Sequence, residues 1–399
     1  MSKIELKKNI FWVGAIDWNV RNFHGYTYST KRGTTYNAYL VLDDKIALVD
    51  TVMASFAEDL IKNIEAITDP LKIDYVIVNH VEDDHTGALP KILDIAKNAQ
   101  VVCTKKCQEG LFRHYYKNWN FKIVKTGDSI FLGNKTLNFI ETPMIHWPDS
   151  MFTYIPEDNL LLSNDAFGQH IASSERFDDE IDGCVLMEES EKYYANILIP
   201  LSFIISAKLS EIIKSGIKVD MIAPSHGIIW RNNPAQIIKA YSGWSSGLPL
   251  KKDILIVYET MWGATAKMAS AMSAAIVDEG LKVKIYDINL GDHTEIIKDI
   301  LNAKCLLIGS STHDNHMLPN IAGFLGLIKG LKLKGRKAAA FGSYGWSGES
   351  AGHIEKLLAE SGLKIINAPL TVKYVPSSQD IESCKDFGRR IAKEIISEE

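Results

Sequence analysis

The sequence is short of the features that would mark a specialised chain. It has only five cysteines, Cys103, Cys107, Cys184, Cys305 and Cys384, an odd and scattered set that makes no disulfide framework and points to a reducing compartment. Cys103 and Cys107 stand in a C-x3-C arrangement without a second pair, and read as two ordinary thiols near a strand end. Positive charge is not in excess. The formal net charge is −5, which leaves no electrostatic footprint for nucleic acid. Long apolar runs are missing too: the longest, Ile197–Ala207, contains Pro200 and is too short to span a bilayer. The apolar stretch Ile10–Ile16 lacks a small-residue cleavage site and runs straight into Asp17, so it reads as the first strand of a cytoplasmic protein. No repeat and no low-complexity segment interrupts the chain. What remains is 399 residues, 46% hydrophobic and 23% charged: globular, and too long for one ordinary domain.

The stretch Tyr241–Asp253 is rich in Gly, Ser and Pro, shows no period, and has linker composition. It divides the chain into 1–249 and 250–399. Before it, hairpin signals dominate: Tyr36–Leu42 and Ile46–Asp50 around an Asp-Asp-Lys turn, Ser129–Leu132 and Thr136–Glu141 around Gly133-Asn134. Strands such as Tyr75–Val78 alternate with helical segments such as Lys91–Lys97 and Glu191–Ile199, which predicts a mixed layered β/α domain. After the linker, strand and helix alternate strictly. Ile254–Tyr258, Val283–Asp287, Cys305–Ser310 and Ala338–Phe341 are continuous apolar strands, and Thr265–Val277, Glu295–Leu301 and Ser350–Ser361 are helices. Strands apolar on both faces predict a doubly wound parallel sheet, covered on both sides.

The most informative residues are Asn79-His80-Val81-Glu82-Asp83-Asp84-His85, directly after the strand Tyr75–Val78. His80, Glu82 and Asp84 alternate, so an extended backbone would aim all three the same way, with a turn at Thr86-Gly87 bringing in His85. His146, Asp165 and His226 each follow an apolar run. Any one of these three alone would be an ordinary polar residue at a strand end. So many carboxylates and imidazoles together repel or desolvate one another unless a cation neutralises them. Seven ligands exceed the four that one zinc takes, so two ions are implied, with Asp165 the best bridge between them.

The pattern His80-x-Glu82-x-Asp84-His85 with His146, Asp165 and His226 resembles the metallo-β-lactamase fold in its flavodiiron variant. The zinc hydrolases of that fold usually carry His where Glu82 stands. A carboxylate there makes the site harder and more anionic, which favours iron and its ferric state.

In the second half, Thr260-Met261-Trp262-Gly263-Ala264-Thr265 lies between a strand and a helix start. It offers backbone N–H groups and two hydroxyls to an anion. It contains neither a dinucleotide fingerprint nor the lysine of a triphosphate loop, and suits a single terminal phosphate, as in FMN. Two further loops, Ser311-Thr312-His313-Asp314-Asn315 and Ser343-Tyr344-Gly345-Trp346-Ser347-Gly348, emerge at the same sheet edge, with Tyr344 and Trp346 able to stack on a flat ring. Together they resemble the FMN site of flavodoxins. His313 and His316 depart from that pattern, and either tune the flavin or line a partner surface.

The resemblance therefore covers nearly the whole chain, in the domain order of the A-type flavoproteins (flavodiiron proteins), which include the rubredoxin:oxygen oxidoreductases. It implies FMN, a non-haem di-iron centre, and reduction of O2 to water or NO to N2O. It further implies His24, His170 and Tyr193 close to the metals in protonic or hydrogen-bonding roles, with Trp147 walling the pocket. Rubredoxin or another small carrier is the implied donor, and a head-to-tail homodimer or dimer of dimers the implied assembly. No C-x2-C pair follows residue 376, so no rubredoxin-like module is expected within this sequence. Two other classes stay open on the residues alone: a two-zinc hydrolase fused to a flavodoxin domain, and a non-catalytic redox carrier or gas sensor.

Overall fold

The structure is a computed structural model describing residues 3–25, 27–247 and 250–397. The chain forms two compact units, one of Met1–Tyr193 with Phe203–Ser242, the other of Tyr194–Ser202 with Gly243–Glu399.

The first unit is built on two sheets. Seven strands run in the order Ile4–Lys7, Ile10–Trp12, Tyr39–Val41, Ile46–Val49, Ile73–Ile77, Gln100–Cys103 and Phe121–Ile123. The early pairs are antiparallel and the last three parallel. The second sheet orders Ser129–Phe131, Thr136–Glu141, Met151–Ile155, Leu160–Asn164 and Met221–Pro224, the final pair parallel. Ile10, Val49, Ile77 and Val102 of one sheet share a core with Phe139, Met151, Leu162 and Ala223 of the other, so the sheets pack face to face. Helix Ala57–Glu65 buries Leu60, Ile61 and Ile64, spaced for one helical face.

Three expectations change here. Ile10–Ile16 is two strands, Ile10–Trp12 and Ala15–Asp17, and Ile4–Lys7 precedes them. The break falls at Gly14, where a Cβ would come within 2.1 Å of the Tyr36 carbonyl, so only glycine lets the backbones approach. Tyr36 leaves the expected hairpin to pair with Ala15. The helix expected over Glu191–Ile199 belongs to a longer run: Gly183–Tyr193, a π turn Tyr194–Leu198, a 3-10 turn Ile199–Leu201, then Ser202–Lys214. Pro200 cannot donate and crowds the preceding turn, which explains the irregular middle. By length and composition alone Gly183–Lys214 could cross a membrane, a test that core helices also pass.

The stretch read as linker is partly ordered into neighbouring elements. Helix Pro234–Ser246 covers its start and is stopped by Gly247 at φ 70°, while strand Lys251–Glu259 takes its end. Leu248 and Pro249 lie outside the described residues.

The second unit carries a parallel sheet ordered Val283–Asp287, Lys251–Glu259, Ala303–His313 and Lys337–Tyr344, then Lys364–Ile365, with Leu370–Lys373 also paired to Lys337–Tyr344. Ile254, Ile256, Cys305 and Leu307 pack with helices Ala264–Asp278 and Ser378–Ile396. The alternate residues Leu255, Val257, Leu306 and Ile308 are equally buried, so both faces are covered as expected. Helix Pro319–Leu331, strand Leu370–Lys373 and helix Ser378–Ile396 are elements the sequence reading passes over. Tyr194–Ser202 belongs with this unit through the Asn196 Nδ2 bond to the Thr294 carbonyl (3.0 Å).

Candidate functional site

In the first unit, Asn79 and His80 leave strand Ile73–Ile77 in extended form, and the chain then turns helical over Asp83–Thr86. This corrects the expected alternation: His80 and Glu82 face one way, while the helical turn carries Asp84 and His85 into a second group. The ligand-type atoms gather as His80, Glu82, His146 and Asp165 in one cluster and Asp84, His85 and His226 in the other. All seven sequence-derived candidates are thus brought together. Asp165 lies between the clusters. Its Oδ1 is 3.1 Å from His85 Nε2 and 3.5 Å from His226 Nε2, and its Oδ2 is 3.4 Å from His146 Nε2 and 3.8 Å from His80 Nε2. Glu82 Oε2 lies 3.2 Å from His80 Nε2 and 3.4 Å from His146 Nε2; Asp84 Oδ2 lies 3.0 Å from His226 Nε2.

Burial works against charge on His80, His85, His146, Glu82, Asp84 and Asp165, but pairing overcomes it. His80, His85 and His146 are raised to about 10 by the carboxylates around them, against the opposing effect of burial. Asp84, Asp165 and Glu82, which burial would raise, are held below the usual carboxylate range by the imidazoles. Protons therefore hold this nest together when no cation does. Asp84 Oδ1 and Asp165 Oδ2 are nonetheless buried without a hydrogen-bond partner. Lone pairs left over among convergent Nε2 atoms are what a cation would occupy, so the residues fit a pair of metal ions.

Supporting residues that sequence reasoning missed hold this arrangement. Asp50, 2% exposed, accepts Asn79 N (2.8 Å) and Nδ2 (3.0 Å) and Asn164 Nδ2 (3.3 Å). Asn164 Nδ2 also donates to Ser225 Oγ (3.0 Å). Asn79, Asn164 and Ser225 immediately precede His80, Asp165 and His226, so one buried carboxylate ties together three strand ends that carry candidate ligands. The signal was present: each of these three ligands follows a small polar residue. Asp149 accepts from His80 Nδ1 and from Val81 N, and His226 Nδ1 donates to the Thr35 carbonyl at 2.8 Å.

Of the other candidates, His24 sits at φ 48° beside the strand pair Asn22–Phe23 and Tyr28–Ser29, its Nε2 3.3 Å from Glu82 Oε1. The Tyr193 hydroxyl donates to Asp165 Oδ1 at 3.2 Å; burial and the Asp165 charge keep it a phenol. His170 bonds Thr34 Oγ1 through Nδ1 (2.8 Å) and packs its ring on His226 and Tyr193; burial disfavours its protonation. Trp147 stands edge-on to His80, with centroids 5.0 Å apart.

In the second unit a cleft of about 270 Å³ opens at the ends of the parallel strands. Met261, Trp262, Ala264, Ser311, Thr312, His313, Ser343, Tyr344, Gly345 and Trp346 line it. Tyr374 and Val375, just past strand Leu370–Lys373, complete the lining, and were missed because that short strand was not read. Thr265 Oγ1 bonds Ser311 Oγ (3.0 Å) and Ser343 Oγ (2.8 Å), joining the three loops through buried hydroxyls. Thr260 Oγ1 accepts Gly263 N (3.1 Å), and Gly263 at φ 83° precedes the helix. Thr260, Gly263 and Thr265 shape the loop rather than line the cleft. Asp314, Asn315 and Gly348 are likewise outside the lining: Asp314 pairs with His313 (3.3 Å), and Asn315 bonds Glu349 (3.3 Å). His316 stacks on His353, centroids 4.6 Å apart. Among the described residues no Lys, Arg, Asp or Glu lines the cleft, while Trp262 (90%) and Trp346 (75%) are exposed. A neutral cleft with uncovered indoles and a helix N-terminus beside it fits a flat aromatic ligand bearing one phosphate.

Known proteins agree with this division. The ODP family beta lactamase model matches residues 34–227 and the flavodoxin model residues 256–388. The chain is 48% identical to a nitric oxide reductase of Moorella thermoacetica, covering 98% of both chains. It is 43% identical to an anaerobic nitric oxide reductase flavorubredoxin of Vibrio vulnificus, covering 98% of this chain and 79% of that one. Among solved structures, rubredoxin oxygen:oxidoreductase from Desulfovibrio gigas matches with a TM-score of 0.97 at 37% identity over 99% of each chain. The flavodiiron protein from Giardia intestinalis matches with a TM-score of 0.94 at 33% identity, covering 100% of this chain and 97% of that one. With relatives this similar along nearly its whole length, and with a lactamase-like unit preceding a flavodoxin-like one, the chain belongs to the flavodiiron protein family.

Proposed function

We propose that this protein is an oxidoreductase that reduces O2, NO or both at a di-iron centre in the domain 1–249, with electrons delivered through FMN in the domain 250–399. The observation that carries this reading is the pair of ligand clusters sharing Asp165, with the carboxylate Glu82 in a nest of imidazoles. His80, Glu82, His146 and Asp165 would hold one iron, and Asp84, His85, His226 and Asp165 the other. When bound, the irons supply one-electron couples and open coordination positions for a diatomic gas, and the flavin supplies the electrons that restore them.

The chain's own residues prepare the site. Tyr193 keeps its proton at pH 7 and donates it in a hydrogen bond to Asp165 Oδ1, fixing the carboxylate's orientation. His24 is the partly exposed group in contact with Glu82, so its Nε2 is the natural inlet for protons. Phe23 packs on the His226 and His170 rings, and Trp147 on His80, keeping bulk water from these faces. His170 supports His226 from behind. In the second domain, the backbone amides of the Met261–Ala264 turn would receive the FMN phosphate, and Tyr344, Trp346 and Tyr374 the flavin ring.

A small redox protein of the rubredoxin kind is the proposed donor, and a cytoplasmic setting fits five free cysteines. A head-to-tail homodimer, or a dimer of dimers, would bring one chain's flavin to another's irons. An active, cofactor-replete monomer at high dilution, measured by light scattering alongside turnover, would exclude that assembly.

The hydrolase and sensor readings are not favoured, since the relatives carry reductase names over the full chain. The decisive experiment is anaerobic reduction followed by separate measurement of O2 and NO consumption, with iron and FMN quantified on the same sample. Continuous donor consumption with two irons per chain is expected. Two zinc ions and no gas uptake would sink the proposal; consumption halting after one equivalent would leave only a sensor.

A further inference from the structure

We infer that Asp149 makes the two metal positions electronically unequal, by acting as a positioning residue on His80 alone. This rests on the di-iron reading above. Asp149 lies in the same loop as His146, between strands Thr136–Glu141 and Met151–Ile155, and is 4% exposed. Its two oxygens stand 3.2 and 3.1 Å from His80 Nδ1, and Oδ2 also accepts Val81 N at 2.8 Å. The loop is anchored from outside: Thr104 Oγ1 donates to the Asp149 carbonyl (2.9 Å), and Met151 N donates to the Asn79 carbonyl (2.9 Å).

Among the described residues, no carboxylate accepts a hydrogen bond from an imidazole Nδ1 of the other cluster, although the buried Asp50 acts on His85 through space. His226 Nδ1 meets a neutral carbonyl, that of Thr35, and His85 Nδ1 is buried with no hydrogen-bond partner. Glu82 and Asp165 serve one position, Asp84 and Asp165 the other, so the directly facing carboxylates are matched. The difference is the carboxylate hydrogen-bonded directly to His80 Nδ1. A carboxylate accepting from Nδ1–H fixes the tautomer with the Nε2 lone pair facing the cluster, and makes that nitrogen a stronger donor than one backed by a carbonyl. A stronger, more anionic donor set favours the ferric ion. The iron on the His80 side is therefore the easier of the two to oxidise, and the iron on the His226 side the one that stays ferrous longer.

The test is an anaerobic redox titration of iron- and FMN-loaded wild type and Asp149→Asn, following the electron paramagnetic resonance signal of the half-oxidised pair. In Asp149→Asn the ratio of ferric to ferrous affinity at the His80 side should fall about tenfold, a rise of about 59 mV for a one-electron couple, and the range over which the half-oxidised pair persists should narrow. Asp149→Glu, which retains the carboxylate, should restore most of that range, a recovery a purely structural role would not predict. Asp149→Ser serves as the second neutral variant should the amide fail to fold. A neutral variant holding two irons with the wild-type range overturns the inference. Wild type without two irons, by contrast, overturns the functional reading and the assignment with it, an outcome that iron analysis separates from failure of the assignment alone.

Discussion

At the scale of single residues, the proposed iron chemistry turns on the carboxylate at residue 82. Glu82 places one oxygen between His80 and His146 and the other against His24, so it contributes charge to the cluster and a link to the outside together. Replacing it by His removes an anionic oxygen donor and the His24 contact. Glu82→His should shift bound metal from iron towards zinc and abolish gas consumption, which metal analysis of protein grown with both ions will read out. The cysteines give a second prediction. Cys103, Cys107, Cys305 and Cys384 are buried and Cys184 is exposed. Burial raises the Cys305 thiol to about 12 and the Cys384 thiol to about 11, so neither is a thiolate near neutrality. Native protein at pH 8 should therefore react with an alkylating reagent at Cys184 alone, and denatured protein at all five; rapid labelling of Cys305 in the native state would contradict this packing.

At the scale of elements, both candidate sites sit where strands end, and short polar connections rather than long loops set their geometry. In the second unit the hydroxyl triangle of Thr265, Ser311 and Ser343 locks three such connections together. Thr265→Val keeps the shape and deletes the hydroxyl. Losing two hydrogen bonds worth about 1 kcal/mol each should weaken FMN binding by up to roughly thirtyfold, measured by flavin fluorescence on titrating the flavin-free protein. Unchanged affinity would mean that the loops hold their positions without the triangle. The alternation of strands and helices in this unit was legible because continuous apolar strands leave no choice of face. Helix Pro319–Leu331 was not, because its glycines blur a helical pattern, nor strand Leu370–Lys373, which is short and half-exposed. In the first unit the one-turn helix Asp83–Thr86 was legible only as a requirement for a turn, since no local propensity in four residues selects helix over bend.

At the scale of the whole molecule, folding and metal loading are coupled through protons. In the metal-free protein His80, His85 and His146 are raised from the ordinary histidine value to about 10. Stability gained from these imidazoliums is fully present below the unfolded value near 6.5 and is lost as pH rises through about 10. The metal-free protein should accordingly lose thermal stability between pH 6.5 and 10. The iron-loaded protein, whose cations replace those protons, should lose much less over the same range. Parallel melting curves before and after chelation will test it, and identical pH dependence in both forms would contradict the nest described here.

The sequence alone determined the two-part architecture and supplied the candidate ligand types and the candidate phosphate loop. Those depend on local period, on residue chemistry and on spacing along the chain, all of which one dimension records. The tertiary structure decided which candidate ligands fall in one cluster, because His85, His146, Asp165 and His226 are far apart in sequence and meet only where strands of two sheets end together. It alone also revealed Asp50 and Asp149. A buried carboxylate is distinguished from a surface one by what surrounds it, and burial is a property of packing in three dimensions.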